Sequence, residues 1–246
     1  MSYSAFANRF TPLRLGIDYF DSEVGVIGSS NVSQWESVAG TLSFTQGTAL
    51  NQPSLVTDNG MQTIYFDNLG SDPQYMDISS LTLTHNCAIF VAFKYVTQNT
   101  FGSSEMRTMF GPQGDSAGNL STYSLVLLST NSADYPGFRI VVPTLGSRPS
   151  LTYTYISPDD KYKVFTLLNN DNQVSSYIND INMINTIGDR TGSFNSSYRL
   201  GADVSGTGKR WWTGNVRFLI PVTRSLEQAE FEAIRKFLYD RTGITP

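Results

Sequence analysis

Hydrophobic and polar positions alternate in short runs along most of this chain, the period of two that belongs to half-buried strands. Residues 42–45 alternate cleanly, and residues 32–35 and 64–67 read as short strands beside them. Residues 106–110 read as a strand, and 123–128, 138–142 and 151–156 follow at the roughly 8–12-residue spacing of a β-sandwich. Residues 10–20 read as a lead-in segment to a first strand, and Gly25, Gly28, Ser29 and Ser30 mark a turn after it. The run from Ala88 to Val96 is the most hydrophobic in the chain and predicts the central strand of a core-facing sheet. Residues 162–168 and 174–178 flank Asn169-Asn-Asp-Asn172, which predicts a hairpin because Asn and Asp tolerate positive φ.

The period becomes helical only at the end. Leu226, Ala229, Ala233, Ile234, Phe237 and Leu238 share one helix face over about residues 225–240, and Gly243 follows as a stop. Ser225 is the expected cap, with Gln228 completing a capping box. Glu227, Glu230 and Glu232 fall in the first half, where the helix dipole favours them, and read as solvated charge. Such an apolar face needs a sheet to lie on. Just before it, Tyr198-Arg-Leu-Gly-Ala202 and residues 211–220 predict two strands, the second opening on Trp211 and Trp212. Being consecutive, those two tryptophans would face opposite sides. No linker, repeat or charge block divides the chain. The expected organisation is an arm over residues 1–12, then one domain over 13–246.

Composition narrows the class. Charged residues make up 15% and aromatic residues 13%, which suits many short strands joined by polar turns. The net charge of −4 provides no basic field, so nucleic acid is not an expected partner. No stretch approaches the roughly 18 apolar residues needed to span a bilayer. Residues 1–10 lack the basic and apolar regions of a signal peptide, so synthesis in a cytoplasm without export by the usual route is expected. The single cysteine, Cys87, sits among apolar neighbours and reads as a small buried hydrophobe.

Few side chains offer chemistry. With His85 the only histidine, a histidine metal cluster is excluded, and no Gly-x-Ser-x-Gly elbow surrounds a nucleophile. Gly206-Thr-Gly-Lys209 lacks the rest of a phosphate-binding loop and reads as a hairpin loop. A glycosidase needs two carboxylates about 5–10 Å apart across the bond it cleaves. Glu23, Glu36 and Glu105 stand alone, and adjacent Asp159 and Asp160 would face opposite sides of a strand. The loop acids Asp67, Asp72, Asp115 and Asp203 are the Ca²⁺-ligand candidates, but without a fixed-spacing motif no cofactor is expected. That leaves Trp211, Trp212, Arg210, Tyr135 and Trp35 as candidate carbohydrate or interface contacts.

Several segments together resemble a known family. Pro12-Leu-Arg-Leu15 leads to Val32-Ser-Gln-Trp35, Phe44-Thr-Gln46, Asn51-Gln-Pro53 and Ile64-Tyr-Phe-Asp67. The end carries Leu200-Gly-Ala202, Trp212-Thr-Gly-Asn-Val-Arg-Phe218 and Leu226-Glu-Gln-Ala-Glu230. This order resembles concanavalin A-like lectin/glucanase domains of the laminin-G-like type, including those of tailed-phage virion surface proteins. The chain departs from that family after Trp35, where Glu36-Ser-Val-Ala-Gly40 replaces an Asp-x-Ser-Gly segment. It also lacks the acidic motif of the catalytic members.

The resemblance implies an all-β, two-sheet antiparallel jelly-roll sandwich with one C-terminal α-helix. It further implies a non-enzymatic virion surface protein, a capsid decoration or a fibre or tail attachment module. Such a protein would act as a homo-oligomer through contacts with other virion proteins, its arm docking onto a neighbour. The alternative it implies is a lectin module for a host surface glycan, with a glycoside hydrolase ranked last.

Overall fold

A computed structural model describes residues 11–68, 72–84, 86–95, 105–112, 126–132, 135–141, 152–155, 161–170, 173–187, 193–195, 197–202 and 212–245. These residues form two antiparallel sheets packed as a sandwich, with a C-terminal α-helix outside one of them. The eight-stranded sheet runs β16 (Ile181–Ile187), β15 (Gln173–Ile178), β14 (Lys163–Asn170), β9 (Cys87–Tyr95), β19 (Gly214–Val222), β6 (Met61–Phe66) and β5 (Ser54–Asp58). β1 (Phe20–Asp21) pairs with β19 beyond the end of β6.

The nine-stranded sheet runs β13 (Thr152–Tyr155), β12 (Tyr135–Val141), β11 (Val126–Ser132), β10 (Glu105–Pro112), β18 (Tyr198–Leu200), β7 (Met76–Ile78), β4 (Ser43–Thr45), β3 (Gln34–Glu36) and β2 (Val26–Ile27). β8 (Thr82–Thr84) and β17 (Ser193–Asn195) form a separate ribbon. This is the all-β jelly-roll sandwich that the family resemblance implies. The arm's residues 1–10 and the loop 203–211 lie outside the described residues.

β9 shows why one stretch is apolar throughout. Cys87, Ile89, Val91 and Phe93 face the opposite sheet, while Ala88, Phe90 and Ala92 face the helix. A strand buried on both faces needs hydrophobes of both parities. Its neighbour β19 solves the same problem with a register shift between Val216 and Phe218. Val216 and Leu219 enter the sandwich, and Phe218, Ile220 and Val222 meet the helix. In a regular strand Val216 and Phe218 would share a face; the extra residue, Arg217, separates them.

Two glycines set close approaches. A Cβ on Gly214 would lie 2.4 Å from the Lys94 carbonyl oxygen and 2.6 Å from the Trp212 ring. At Gly201, where φ is +98°, it would lie 2.4 Å from the Phe66 ring. β5 and β6 meet at Asn59-Gly60, with φ of 51° and 78°, the two-residue turn whose twist matches that of the strands.

Helix α1 (Gln228–Thr242) starts later than the Ser225 cap expected from sequence. Glu227 is the cap, and Glu230 returns its side chain to the Glu227 N–H at 3.0 Å. The cap therefore belongs to a carboxylate pair that had read as plain solvated charge. Its buried face is Phe231, Ile234, Phe237, Leu238 and Tyr239, whereas Ala229 is exposed. The sheet dictates this, because Phe90 and Tyr177 reach Phe231 at ring separations of 5.9 and 5.5 Å. Among the described residues no helix is long and apolar enough to cross a membrane.

Candidate functional site

β18 alternates, and that places one charged side chain outside the core. Tyr198 and Leu200 are fully buried, so Arg199 between them projects from the outer face of the nine-stranded sheet. Its strand partners are Asp77 on β7 and Gly111 on β10. Arg199 Nε donates to Asp77 Oδ1 at 2.7 Å and Nη2 to Oδ2 at 2.8 Å, a two-pronged clamp. The guanidinium carbon also lies 3.6 Å from the centre of the Tyr75 ring, in stacking contact. The polar row continues across the sheet through Thr45 and Gln34, which follow Asp77 in register. Gln34 Nε2 donates to Glu36 Oε1 at 2.7 Å.

The loops beside this row are held by their own amides. Tyr75 N–H donates to the Asn51 carbonyl at 2.9 Å, and the Tyr75 carbonyl accepts from Gln46 Nε2 at 3.2 Å. Asn51 Nδ2 donates to the Pro73 carbonyl at 2.9 Å. Asn68 joins the loop to the strands around it, its Nδ2 reaching the carbonyls of Gly201 at 3.0 Å and Trp212 at 2.7 Å. Tyr75 is thus fixed at both main-chain ends. The result is a preorganised surface of planar donors and acceptors beside an aromatic ring.

Two residues expected to make contacts at the surface are instead fully buried. Trp35 packs against Phe20 and Phe44, with ring separations of 5.1 and 6.1 Å, and donates its indole N–H to the Asp21 carbonyl at 3.1 Å. Trp212 packs between Phe66 and Phe93 at 6.0 and 6.4 Å. Trp35 points inward from β3 and Trp212 from the segment just before β19, so both stabilise the core. Arg210 and Trp211 lie outside the described residues, as does the side chain of Tyr135, whose backbone pairs with Ser132. The candidate contacts read from sequence do not include Arg199, Asp77 or Tyr75. The available signal was the charge between two hydrophobes in Tyr198-Arg-Leu200, which marks an outward position on a strand.

Of the loop acids, Asp67 and Asp72 are exposed, while Asp115 and Asp203 lie outside the described residues, as does His85. Among the described residues no group of three or more His, Cys, Asp or Glu side chains converges as a metal site. Cys87 is buried among the core hydrophobes.

The two sheets form a jelly-roll β-sandwich. No family model matches the chain, and no curated protein does. Solved structures match its fold. One is domain 4 of AbnA, a GH43 extracellular arabinanase from Geobacillus stearothermophilus, solved in complex with arabinotriose. It is 11% identical, with a TM-score of 0.58 over 89% of this chain and 96% of its own. The Trypanosoma rangeli sialidase in complex with the inhibitor DANA is 12% identical, with a TM-score of 0.60 over 100% of this chain and 36% of its own. A mutant of NanB sialidase from Streptococcus pneumoniae is 14% identical, with a TM-score of 0.51 over 69% of this chain. This chain spans only 26% of that sialidase. At such identities the likeness establishes the fold and nothing finer.

Proposed function

We propose that this chain is a non-catalytic carbohydrate-binding module of the concanavalin A-like type, with the outward row around Arg199 as its contact surface. One observation carries the reading: the Arg199–Asp77 clamp stacked on Tyr75, continued by Thr45, Gln34 and Glu36. Sugar hydroxyls both donate and accept, and they are recognised by planar polar side chains whose orientation is fixed before binding. The similarly sized arabinanase domain bound to arabinotriose supports the class of ligand.

Arabinotriose is the first probe, followed by a broad glycan array. Saturable binding that Arg199→Ala abolishes, with an unchanged melting profile, supports the assignment. Binding untouched by Arg199→Ala moves the site elsewhere, and silence across the array removes the carbohydrate reading.

A second reading is a virion surface protein working through protein–protein contacts as a homo-oligomer. It draws on Leu50 and Ile181, large apolar side chains exposed to 74% and 66%. Light scattering on the purified chain tests it, and a monomer at high concentration counts against it.

A further inference from the structure

The pairing of β7 with β18 ends one step short of the aromatic ring in the contact row. Asp77 opposes Arg199 and Met76 opposes Leu200, and there the ladder stops. Continuing the register would set Tyr75 opposite Gly201. Both main chains are engaged elsewhere: the Tyr75 N–H donates to the Asn51 carbonyl at 2.9 Å and the Gly201 N–H to the Met109 carbonyl at 2.8 Å. Gly201 also leaves the extended conformation, with φ of +98°. Strand pairing alone therefore does not set how Tyr75 lies against Arg199.

Asn68 takes over where the ladder stops. The residue is only 3% exposed. Its Oδ1 accepts the Gln74 N–H, and its Nδ2 donates to the Gln74 carbonyl at 3.1 Å. The carboxamide thus pairs with both main-chain groups of the residue before Tyr75, as a neighbouring strand would. The same Nδ2 reaches the Gly201 carbonyl at 3.0 Å, two residues beyond Arg199, and the Trp212 carbonyl at 2.7 Å. The Asn68 N–H donates to Thr213 Oγ1 at 3.1 Å, and beside it the Asp67 N–H donates to Gln74 Oε1 at 2.6 Å. One buried carboxamide therefore holds the segments on both sides of the Arg199–Tyr75 stack and ties them to the segment that carries Trp212.

We propose that Asn68 is a positioning residue for the contact row: it sets the Arg199 guanidinium against the Tyr75 ring, and through that stack it sets ligand affinity. The affinity half rests on the carbohydrate reading above; the hold on the stack does not. The competing explanation is that Asn68 only satisfies buried main-chain groups at the end of the sheet. A tie of that kind changes stability and leaves Arg199 as it was, whereas a positioning residue changes Arg199 itself.

Nuclear magnetic resonance on the intact chain separates the two. The Arg199 guanidinium carbon lies 3.6 Å from the centre of the Tyr75 ring, so the protons beside it are shielded by that ring. Asn68→Ala should move the Arg199 side-chain resonances toward those of an unstacked arginine. It should also weaken arabinotriose binding roughly tenfold, the scale of one misaligned charge-assisted hydrogen bond. Val174→Ala, a core truncation on β15, is the control: it lowers stability and leaves the Arg199 resonances and the affinity unchanged. Gln74 is half-buried, and Gln74→Ala removes only the acceptor of the Asp67 N–H. It retains the fold and shows the same shifts in smaller size, so it decides the matter should Asn68→Ala not fold. Wild-type Arg199 resonances in the folded variant overturn the proposal, as do equal shifts in Val174→Ala. Moved resonances with wild-type affinity overturn it equally. Moved resonances in a chain whose wild type binds no glycan support the hold on the stack and remove the carbohydrate reading alone.

Discussion

The Arg217 guanidinium lies 2.5 Å from the Asp21 carboxylate, with both side chains almost fully buried, at 1% and 4% exposed. They come together because β1 pairs with β19 and the shift after Val216 sets Arg217 beside Asp21. Ser22 Oγ accepts from the same Arg217 nitrogen at 2.8 Å, and Glu23 lies 2.8 Å from the other. Arg241, from the last turn of α1, adds a contact to Asp21 at 3.1 Å. The group locks the first strand, the last strand and the helix together.

Arg217→Met should therefore be severe. Removing one partner leaves the buried Asp21 carboxylate short of its main counter-charge, which costs about 3–5 kcal/mol. Adding Asp21→Leu should recover much of that loss, because no uncompensated charge remains. Urea titrations of the single and double variants decide the matter; additive losses would mean the two residues are not coupled.

Trp212→Ala should lower stability by about 3–5 kcal/mol, the cost of emptying an aromatic site in a packed core. The hole would open between Phe66 and Phe93. Thermal melts measure the loss, and a near-native melt would contradict the burial of Trp212.

Gly201→Ala should cost about 1–3 kcal/mol from the strained backbone alone, since φ there is +98°. The contact with the Phe66 ring adds to this. Gly16, also at positive φ but with nothing within 4 Å, is the control and should lose less on the same substitution. Comparing the two by denaturant unfolding separates steric from backbone strain.

Two carboxylates should give the stability an acid dependence. Glu230 is held at about 2, against an ordinary 4.5, by the Arg224 guanidinium and then by the Glu227 N–H. Burial works against the charge on Asp18, but hydrogen bonds from Ser37, Thr41, Ala39 and Tyr19 outweigh it and keep the group below its ordinary 3.8. A depressed folded-state value means stability that is fully present above the ordinary value and lost as pH falls through the folded one. Glu230→Gln should cost about 0.5–1 kcal/mol at neutral pH, the scale of a cap and an exposed ion pair. Its deficit should shrink on acidification from pH 4.5 toward pH 2. A deficit independent of pH would show that the charge plays no part.

Arg199→Lys distinguishes planar recognition from simple charge. Lysine keeps the charge but has neither the two-pronged contact to Asp77 nor the stack on Tyr75. Glycan binding should fall roughly tenfold, the loss of a charge-assisted hydrogen bond. Full retention would reduce Arg199 to a structural partner of Asp77.

The strands and the helix were legible because burial has a period. Alternation marks β4, short apolar-bearing segments between turns mark β3 and β6, and the apolar run marks β9, the middle of the eight-stranded sheet. The hairpin of β14 and β15 followed from its Asn-rich turn, although pairing continues to Asn170 and Gln173. Strand β5 went unread even though Asn59-Gly60 announced its turn, because Leu55-Val-Thr57 does not alternate cleanly.

The sequence by itself determined that outward and inward positions exist, but only the tertiary structure decided which residues they bring together. Arg199 meets Asp77 across 122 positions, and Arg217 meets Asp21 across 196. Strand order in a sandwich is set by non-local pairing, and local periodicity carries no trace of it. The same limit explains the tryptophans. A period of two says only that neighbours on a strand face opposite ways; packing against Phe66 and Phe93 is what puts Trp212 inside.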